Sequence, residues 1–221
     1  MKKIVLIGML MGGVVLSGTA QTRGSLGQND PKAKTVLDNV SKKFQTLKTV
    51  VANFVLKVQG NNSVSDSKKG TVYLKGSKYK VSMEGQEIIS DNKTSWTYAK
   101  DVNEVTINNV DQSATTITPA KLFTNFYDKD FLYRLEGEST EKGKTLQNIE
   151  MTPTDKSKNI FKVVLSVDKK NQNIAKMKVF EKNGNQYTYE ITNFTPNTAI
   201  TDATFTFDPK KYPGVEVVDL R

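Results

Sequence analysis

The chain has no histidine and no cysteine among its 221 residues. Without histidine there is no imidazole base, no Ser-His-Asp triad and no histidine-based metal site. Without cysteine there is no thiol nucleophile, no disulfide and no residue for N-terminal acylation. P-loop, GxGxxG, GxSxG and EF-hand patterns are missing as well. Carboxylate-only catalysis remains possible, but most hydrolase mechanisms are excluded. Its paired acids, Glu84/Glu87, Asp128/Asp130 and Glu136/Glu138, fall in turn-like or strand-end contexts where solvated surface charge is the plainer reading. No enzyme activity, metal or cofactor is expected.

Negative charge is the scarcer sign. Lys+Arg number 32 against Asp+Glu 23, a net charge of +9 that falls to +7 if Lys2 and Lys3 leave with a leader. The lysines, Lys57, Lys75, Lys80, Lys93, Lys162, Lys176 and Lys178 among them, are dispersed through turns and strands and form no block. Dispersal favours a solvated surface over attraction to nucleic acid or an anionic membrane. Nucleic acid is not an expected partner.

The single long apolar run lies at the start. Met1-Lys2-Lys3 precedes the apolar stretch Ile4–Leu16, and Ser17-Gly18-Thr19-Ala20 follows with small residues. This is the pattern of a secretory signal cut after Ala20, with 1–20 the signal peptide and 21–221 a single mature domain. The run is short for a membrane-spanning helix. No later segment is apolar enough to span either.

After a small, polar stretch, Asn29 or Asp30 can cap a helix with Pro31 in its first turn. Ala33, Val36, Leu37, Val40, Phe44 and Leu47 recur at helical spacing, opposite a lysine-rich face. From Val50 the period falls to two. Ala52, Phe54, Leu56 and Val58 make one face of a strand, and the polar stretch Gly60–Lys69 is read as a turn. Val72 and Leu74 follow, then Tyr79, Val81 and Met83. Thr118-Pro119 breaks the pattern. A short inserted helix is expected there, with Leu122, Phe123, Phe126 and Tyr127 as an apolar stripe ending at Asp128–Asp130. Further strands carry Phe131, Tyr133 and Leu135, then Ile149 and Met151, then Phe161, Val163, Leu165 and Val167. Next come Ala175, Met177 and Val179, and the Asn183-Gly184-Asn185 turn leads to Tyr187, Tyr189 and Ile191. Phe205 and Phe207 are read as a last strand, and the tail with Val215 and Val217 as a segment that could dock as an edge strand.

The only tryptophan sits in residues 86–107, read as strand, turn, strand, turn, strand. Trp96 and Tyr98 share one face of the middle strand, so that face needs either a packed core or a bound apolar ligand. About eleven strands with two helices are most economically a sheet curled on itself. The apolar side then lies inside and the helices close the open side. A barrel of that many strands tends to enclose a cavity.

Three stretches carry a family resemblance. Ile89–Tyr98, ISDNKTSWTY, resembles the "SDGKxLWxY" segment of the periplasmic outer-membrane lipoprotein carrier (LolA) family. Asp202–Pro209 with Gly214–Val217 is similar to that family's "DAxFxFxPPxGVxV" close. Ala52-Asn53-Phe54 and Gly70–Lys75 are similar to its "AxF" and "GxLxxK" strands. Thr118–Leu122 stands where the family's inner helix has Pro-x-x-Leu. The resemblance implies a mainly β fold, an incomplete (half-open) antiparallel β-barrel of about eleven strands with a helical lid over an apolar cavity. It implies a non-enzymatic carrier in the periplasm of a Gram-negative-type cell, a monomer holding the acyl chains of lipoproteins. Its partners would be acylated lipoproteins as cargo, an inner-membrane ABC-type exporter, and an outer-membrane acceptor or the outer membrane itself. The related acceptor is acylated on cysteine, which this chain lacks. The family's lid-latching arginine has no counterpart here, since Gly76 or Ser77 stands at that place.

On this reading the cavity is lined by Phe54, Leu56, Val72, Leu74, Tyr79, Val81, Met83, Trp96 and Tyr98 from the sheet. Leu122, Phe123 and Phe126 line it from the inserted helix, and Val36, Val40 and Phe44 from the first helix. The rival readings are a periplasmic binding protein for another apolar ligand such as a glycolipid, and a secreted carboxylate-dependent hydrolase.

Overall fold

The computed structural model describes residues 29–60, 63–110 and 127–221. The signal peptide expected at 1–20 and most of the inserted helix, including Leu122, Phe123 and Phe126, lie outside the described residues.

Helix α1 runs Pro31–Gln45. Asp30 caps it, its Oδ1 accepting from Lys32 N at 2.8 Å, and Pro31 begins it without losing a needed donor. The predicted stripe is the buried one: Ala33, Val36, Leu37, Val40 and Phe44 all face inward. Burying Val36, Leu37, Val40 and Phe44 stabilises the fold by roughly 1.5–3 kcal/mol each.

Twelve strands form one open sheet. They are β1 (Val50–Gly60), β2 (Ser63–Lys75), β3 (Lys78–Met83), β4 (Gln86–Ser90), β5 (Thr94–Ala99), β6 (Glu104–Asn109), β7 (Phe131–Glu141), β8 (Lys144–Pro153), β9 (Ile160–Asp168), β10 (Ile174–Glu181), β11 (Gln186–Pro196) and β12 (Glu216–Asp219). Their order across the sheet is β12-β6-β5-β4-β3-β2-β1-β11-β10-β9-β8-β7. Two antiparallel meanders, β1–β6 and β7–β11, join where β1 pairs with β11. A single turn of helix, α2 (Tyr127–Asp130), leads into β7.

Three details differ from the sequence reading. Strands β1 and β2 pair to their adjoining ends, with Gly60 opposite Ser63, so Lys68 and Lys69 belong to β2. The polar composition of 60–69 hid a strand that is exposed on both sides at residues 67–69. Phe205 and Phe207 do not make a strand. Residues Asp202–Phe205 form a 3-10 turn, and both rings turn inward, at 0% and 6% exposure. The tail does dock as an edge strand, but parallel to β6, with Val217 opposite Val105.

Candidate functional site

Cross-strand partners share a face of the sheet, so the register sorts every side chain. On the concave face Leu56 stands opposite Tyr189, Val72 opposite Ala52 and Val81, and Leu74 opposite Val50 and Tyr79. The other meander adds Leu165 opposite Met177 and Ile149. These residues form one apolar cluster with the buried side of α1. Phe54, Leu56, Val72, Leu74, Tyr79, Val81 and Met83 are therefore brought together with Val36, Val40 and Phe44, as the sequence reading grouped them. Tyr187, Tyr189 and Ile191 of β11 join the same face. Sequence reasoning placed them on a strand without assigning them to the site, although their alternation carried the signal.

The close packing at Phe54 explains a glycine. A Cβ on Gly70 would stand 2.3 Å from Phe54 Cζ and 2.8 Å from Met83 Cγ. The missing side chain gives the Phe54 ring room over β2, and the same ring meets Tyr189 of β11 at 5.9 Å between centroids.

Trp96 and Tyr98 are a correction. Trp96 stands opposite Ile89, and Tyr98 opposite Glu87 and Val105, all on the convex face. They pack under the C-terminal segment in a second, separate cluster with Phe207, Tyr212 and Val215. Tyr98 and Phe207 both lie 4.5 Å from Tyr212 between centroids, the latter pair stacked. The apolar side of the sheet thus changes from concave to convex at β4, where Ile88 faces one cluster and its neighbour Ile89 the other. Beyond it the concave face carries small or polar groups, Ser95, Thr97, Thr106 and Asn108. Alternation predicted which residues share a side, but with two adjacent isoleucines it could not say which side was concave.

Polar contacts fix both ends of α1. At its start Asp30 N donates to Tyr133 O at 3.0 Å, and Asp30 Oδ2 accepts from Leu135 N at 3.0 Å. One turn on, Lys34 Nζ lies 3.1 Å from Asp38 and 3.0 Å from Asp128. Tyr127 donates to Asp38, and Tyr133 to Asp128, each at 2.7 Å. Burial and the Asp128 carboxylate push the Tyr133 hydroxyl up to about 12, and burial with Asp38 raises Tyr127 as well. At the far end Phe44 meets Phe194 of β11 edge-on at 5.5 Å, and Lys43 Nζ donates to Asn171 O at 2.5 Å. That carbonyl sits in the β9–β10 turn, which Asp168 organises by accepting from Lys170 N and Asn171 N. The 15 residues of α1 reach about 22 Å. Crossing from β7 to β11 is four strand spacings, about 19 Å. The helix is therefore a strap across the concave side of the second meander.

Four of the six paired acids are engaged as surface or structural charges. Glu136 pairs with Arg134, Glu138 with Lys169 at 2.7 Å and Asp128 with Lys34. Glu87 is no loose turn residue. It lies in β4 with only 12% of its side chain exposed, 3.0 Å from Lys80, and accepts from Tyr212 at 2.8 Å and Ser82 at 3.1 Å. Burial alone would raise its carboxyl, but these donors outweigh it and hold the group below its ordinary value. The same contact and burial raise Tyr212. Beside this cluster a cleft of about 470 Å³ opens between β2–β4 and residues 201–212, lined by Tyr73, Lys80, Thr204 and Lys211. Among the described residues no group of three acids could hold a metal, and no helix is long and apolar enough to cross a membrane.

Several solved structures are similar to this chain to different degrees. An uncharacterised conserved protein from Thermus thermophilus superposes with a TM-score of 0.58 at 16% identity, covering 85% of this chain and 99% of that one. A LolA superfamily protein from Nitrosomonas europaea gives 0.44 at 15% identity, over 80% of this chain and 98% of that one. LprF from Mycobacterium bovis gives 0.41 at 15%, over 79% and 97%. No curated protein sequence matches the chain. The family described as "Outer membrane lipoprotein carrier protein LolA" matches residues 45–208, from the end of α1 through the convex-face phenylalanines. With most of its length matched, the chain belongs to the LolA family.

Proposed function

We propose that the protein is a non-enzymatic periplasmic carrier that holds the acyl chains of lipoproteins on the concave face of its sheet. It takes them from an inner-membrane ABC-type exporter and delivers them to the outer membrane or an acceptor there. The mature domain, residues 21–221, works as a monomer after loss of the signal peptide. One observation carries the reading: the concave face is apolar from β7 to β4, and α1, tied by polar contacts at its two ends, straps the β7–β11 half of it. Each methylene removed from water stabilises the complex by about 0.8 kcal/mol, so acyl chains need such a shelter to cross an aqueous space. Phe54, Leu56, Val72, Leu74, Tyr79, Val81 and Met83 form its floor. Val36, Val40 and Phe44 form its movable cover, joined by Leu122, Phe123 and Phe126. Trp96 and Tyr98 serve the second cluster instead.

The test is displacement of an apolar fluorescent probe from the mature chain by a triacylated lipopeptide. The carrier reading expects competitive displacement. Displacement by a glycolipid but not by lipopeptide would favour the binding-protein reading, and displacement by neither would remove both.

A further inference from the structure

The lysines that are scattered in sequence are not all scattered in space. The β8–β9 and β10–β11 turns meet at one end of the sheet, where Lys182 N donates to Asn159 O at 2.9 Å. Lys182 Nζ donates to Lys156 O at 2.5 Å and Lys156 Nζ to Pro153 O at 3.3 Å. Carbonyls hold these two ammonium groups in place without neutralising them. Lys158 stands between them in sequence. Just inside the turns, Lys162 Nζ lies 4.6 Å and Lys178 Nζ 5.0 Å from the centre of the Phe180 ring. Phe161 packs against that ring at 6.1 Å, yet leaves 46% of its own surface in water. A register shift at Phe180/Glu181 lets Phe161 leave the concave cluster, although the residue two places on, Val163, faces it. Facing the five lysines are Asp155, which accepts from Ser157, Glu150, 3.7 Å from Lys162, and Glu181, which accepts from Asn183 and Tyr187. The balance is positive.

We infer that this end of the sheet is a docking surface for a membrane bearing anionic phospholipid, with Phe161 entering the headgroup layer and Lys156, Lys158, Lys162, Lys178 and Lys182 meeting the phosphates. An exposed ring, Phe161, packed on a second ring that two lysines flank is the chemistry of interfacial binding. The ring sits at headgroup depth, and each lysine adds attraction that fades within a Debye length. A soluble protein gains little from leaving a phenylalanine this exposed unless the face meets something apolar, and the surrounding cations favour a negatively charged lipid surface. The surface lies outside the concave cluster, so it stands or falls independently of cargo binding.

The experiment is vesicle co-sedimentation of the mature chain, at low and physiological salt. One set of vesicles holds equal parts phosphatidylethanolamine and phosphatidylglycerol, the other phosphatidylcholine alone. The wild type is expected to partition onto the anionic vesicles only, and less at higher salt. Reversing the turn lysines (Lys156→Glu, Lys158→Glu and Lys182→Glu together) should weaken partitioning more than tenfold, and Phe161→Ser severalfold. A control reversing Lys48, Lys93 and Lys210, exposed lysines in other turns with the same total charge change, should fall much less. Probe displacement by lipopeptide should be unchanged in every variant, which also reports that each is folded. No sedimentation of the wild type with anionic vesicles would overturn the inference, leaving an acidic protein as the alternative occupant. Equal losses in the patch and control variants would overturn it too, as bulk charge.

Discussion

At the scale of single residues, Gly70 and Glu87 show how local chemistry serves the two faces of one sheet. Gly70→Val would drive a side chain into the Phe54 ring. Overpacking of this kind is expected to lower stability by about 1–3 kcal/mol, read as a shifted urea midpoint. Leu56→Glu places a carboxylate in the concave cluster, where Leu56 is 8% exposed. Unless water reaches it, that substitution costs several kcal/mol or forces the group neutral. A variant that stays folded but binds no lipopeptide is the expected outcome of a face that opens to water, whereas collapse of folding would mark a permanent core. On the convex face, the Glu87 carboxyl is held below its unfolded value despite burial, by Lys80, Tyr212 and Ser82. Its contribution is therefore complete above the unfolded carboxylate value of about 4.3 and is lost as pH falls through the lower folded value. Glu87→Gln should lower stability near neutrality, where the carboxylate's contribution is complete, and the difference from wild type should shrink below about pH 4, which flattens the acid limb. Sequence could show Trp96 and Tyr98 sharing a side, because strand alternation is strict. It could not show that the side was convex, because Ile88 and Ile89 satisfy both clusters equally well.

At the scale of elements, α1 is the part that moves on the proposed carrier reading. Its apolar stripe holds it down, but its polar ties are few and mostly exposed: Lys34 at 44% and Asp128 at 37% of side-chain surface. Such pairs contribute at most about 1 kcal/mol and are screened by salt. Asp30 is the firmer tie, since it caps the helix and also receives Leu135 N. Asp30→Ala should lower stability by about 1–2 kcal/mol and raise amide exchange in the first turn of α1, whereas Lys34→Met should do little to either. Hydrogen exchange on loading with lipopeptide should rise across residues 31–45 and stay constant in β9, which lies within the sheet. The helix was legible because stripe, cap and proline agree. The C-terminal segment was not, because Phe205 and Phe207 alternate as a strand would. What curls them is a 3-10 turn whose side chains reach back across the convex face, a tertiary preference with no local sign.

At the scale of the whole molecule, one sheet carries two jobs. The first meander is apolar on its concave side through β4 and on its convex side from there to β6, with the tail packed over it. The convex cluster braces the far edge of the sheet, leaving the concave side to serve the strap helix. Meander order within each half follows from the short turns, so it was readable in sequence. The joint between the halves, Phe54 opposite Ile191, and the parallel return of β12 beside β6 join residues far apart in the chain and were not readable. The same holds for the lysines of the 153–185 end, which only pairing of β9 with β10 brings around Phe161 and Phe180.

The central claim, that acyl chains lie on the apolar concave face that α1 partly covers, is tested most directly by where a bound chain touches the protein. A triacylated lipopeptide with a photoreactive diazirine near the end of an acyl chain would be bound to the mature protein, irradiated and its adducts located by peptide mass spectrometry. The account predicts adducts within β1, β2, β3 and α1, centred on the segments holding Phe54, Leu56, Val72, Val81 and Val40. Adducts concentrated instead around Trp96, Tyr98 and Phe207, or confined to the Phe161 end of the sheet, would contradict it.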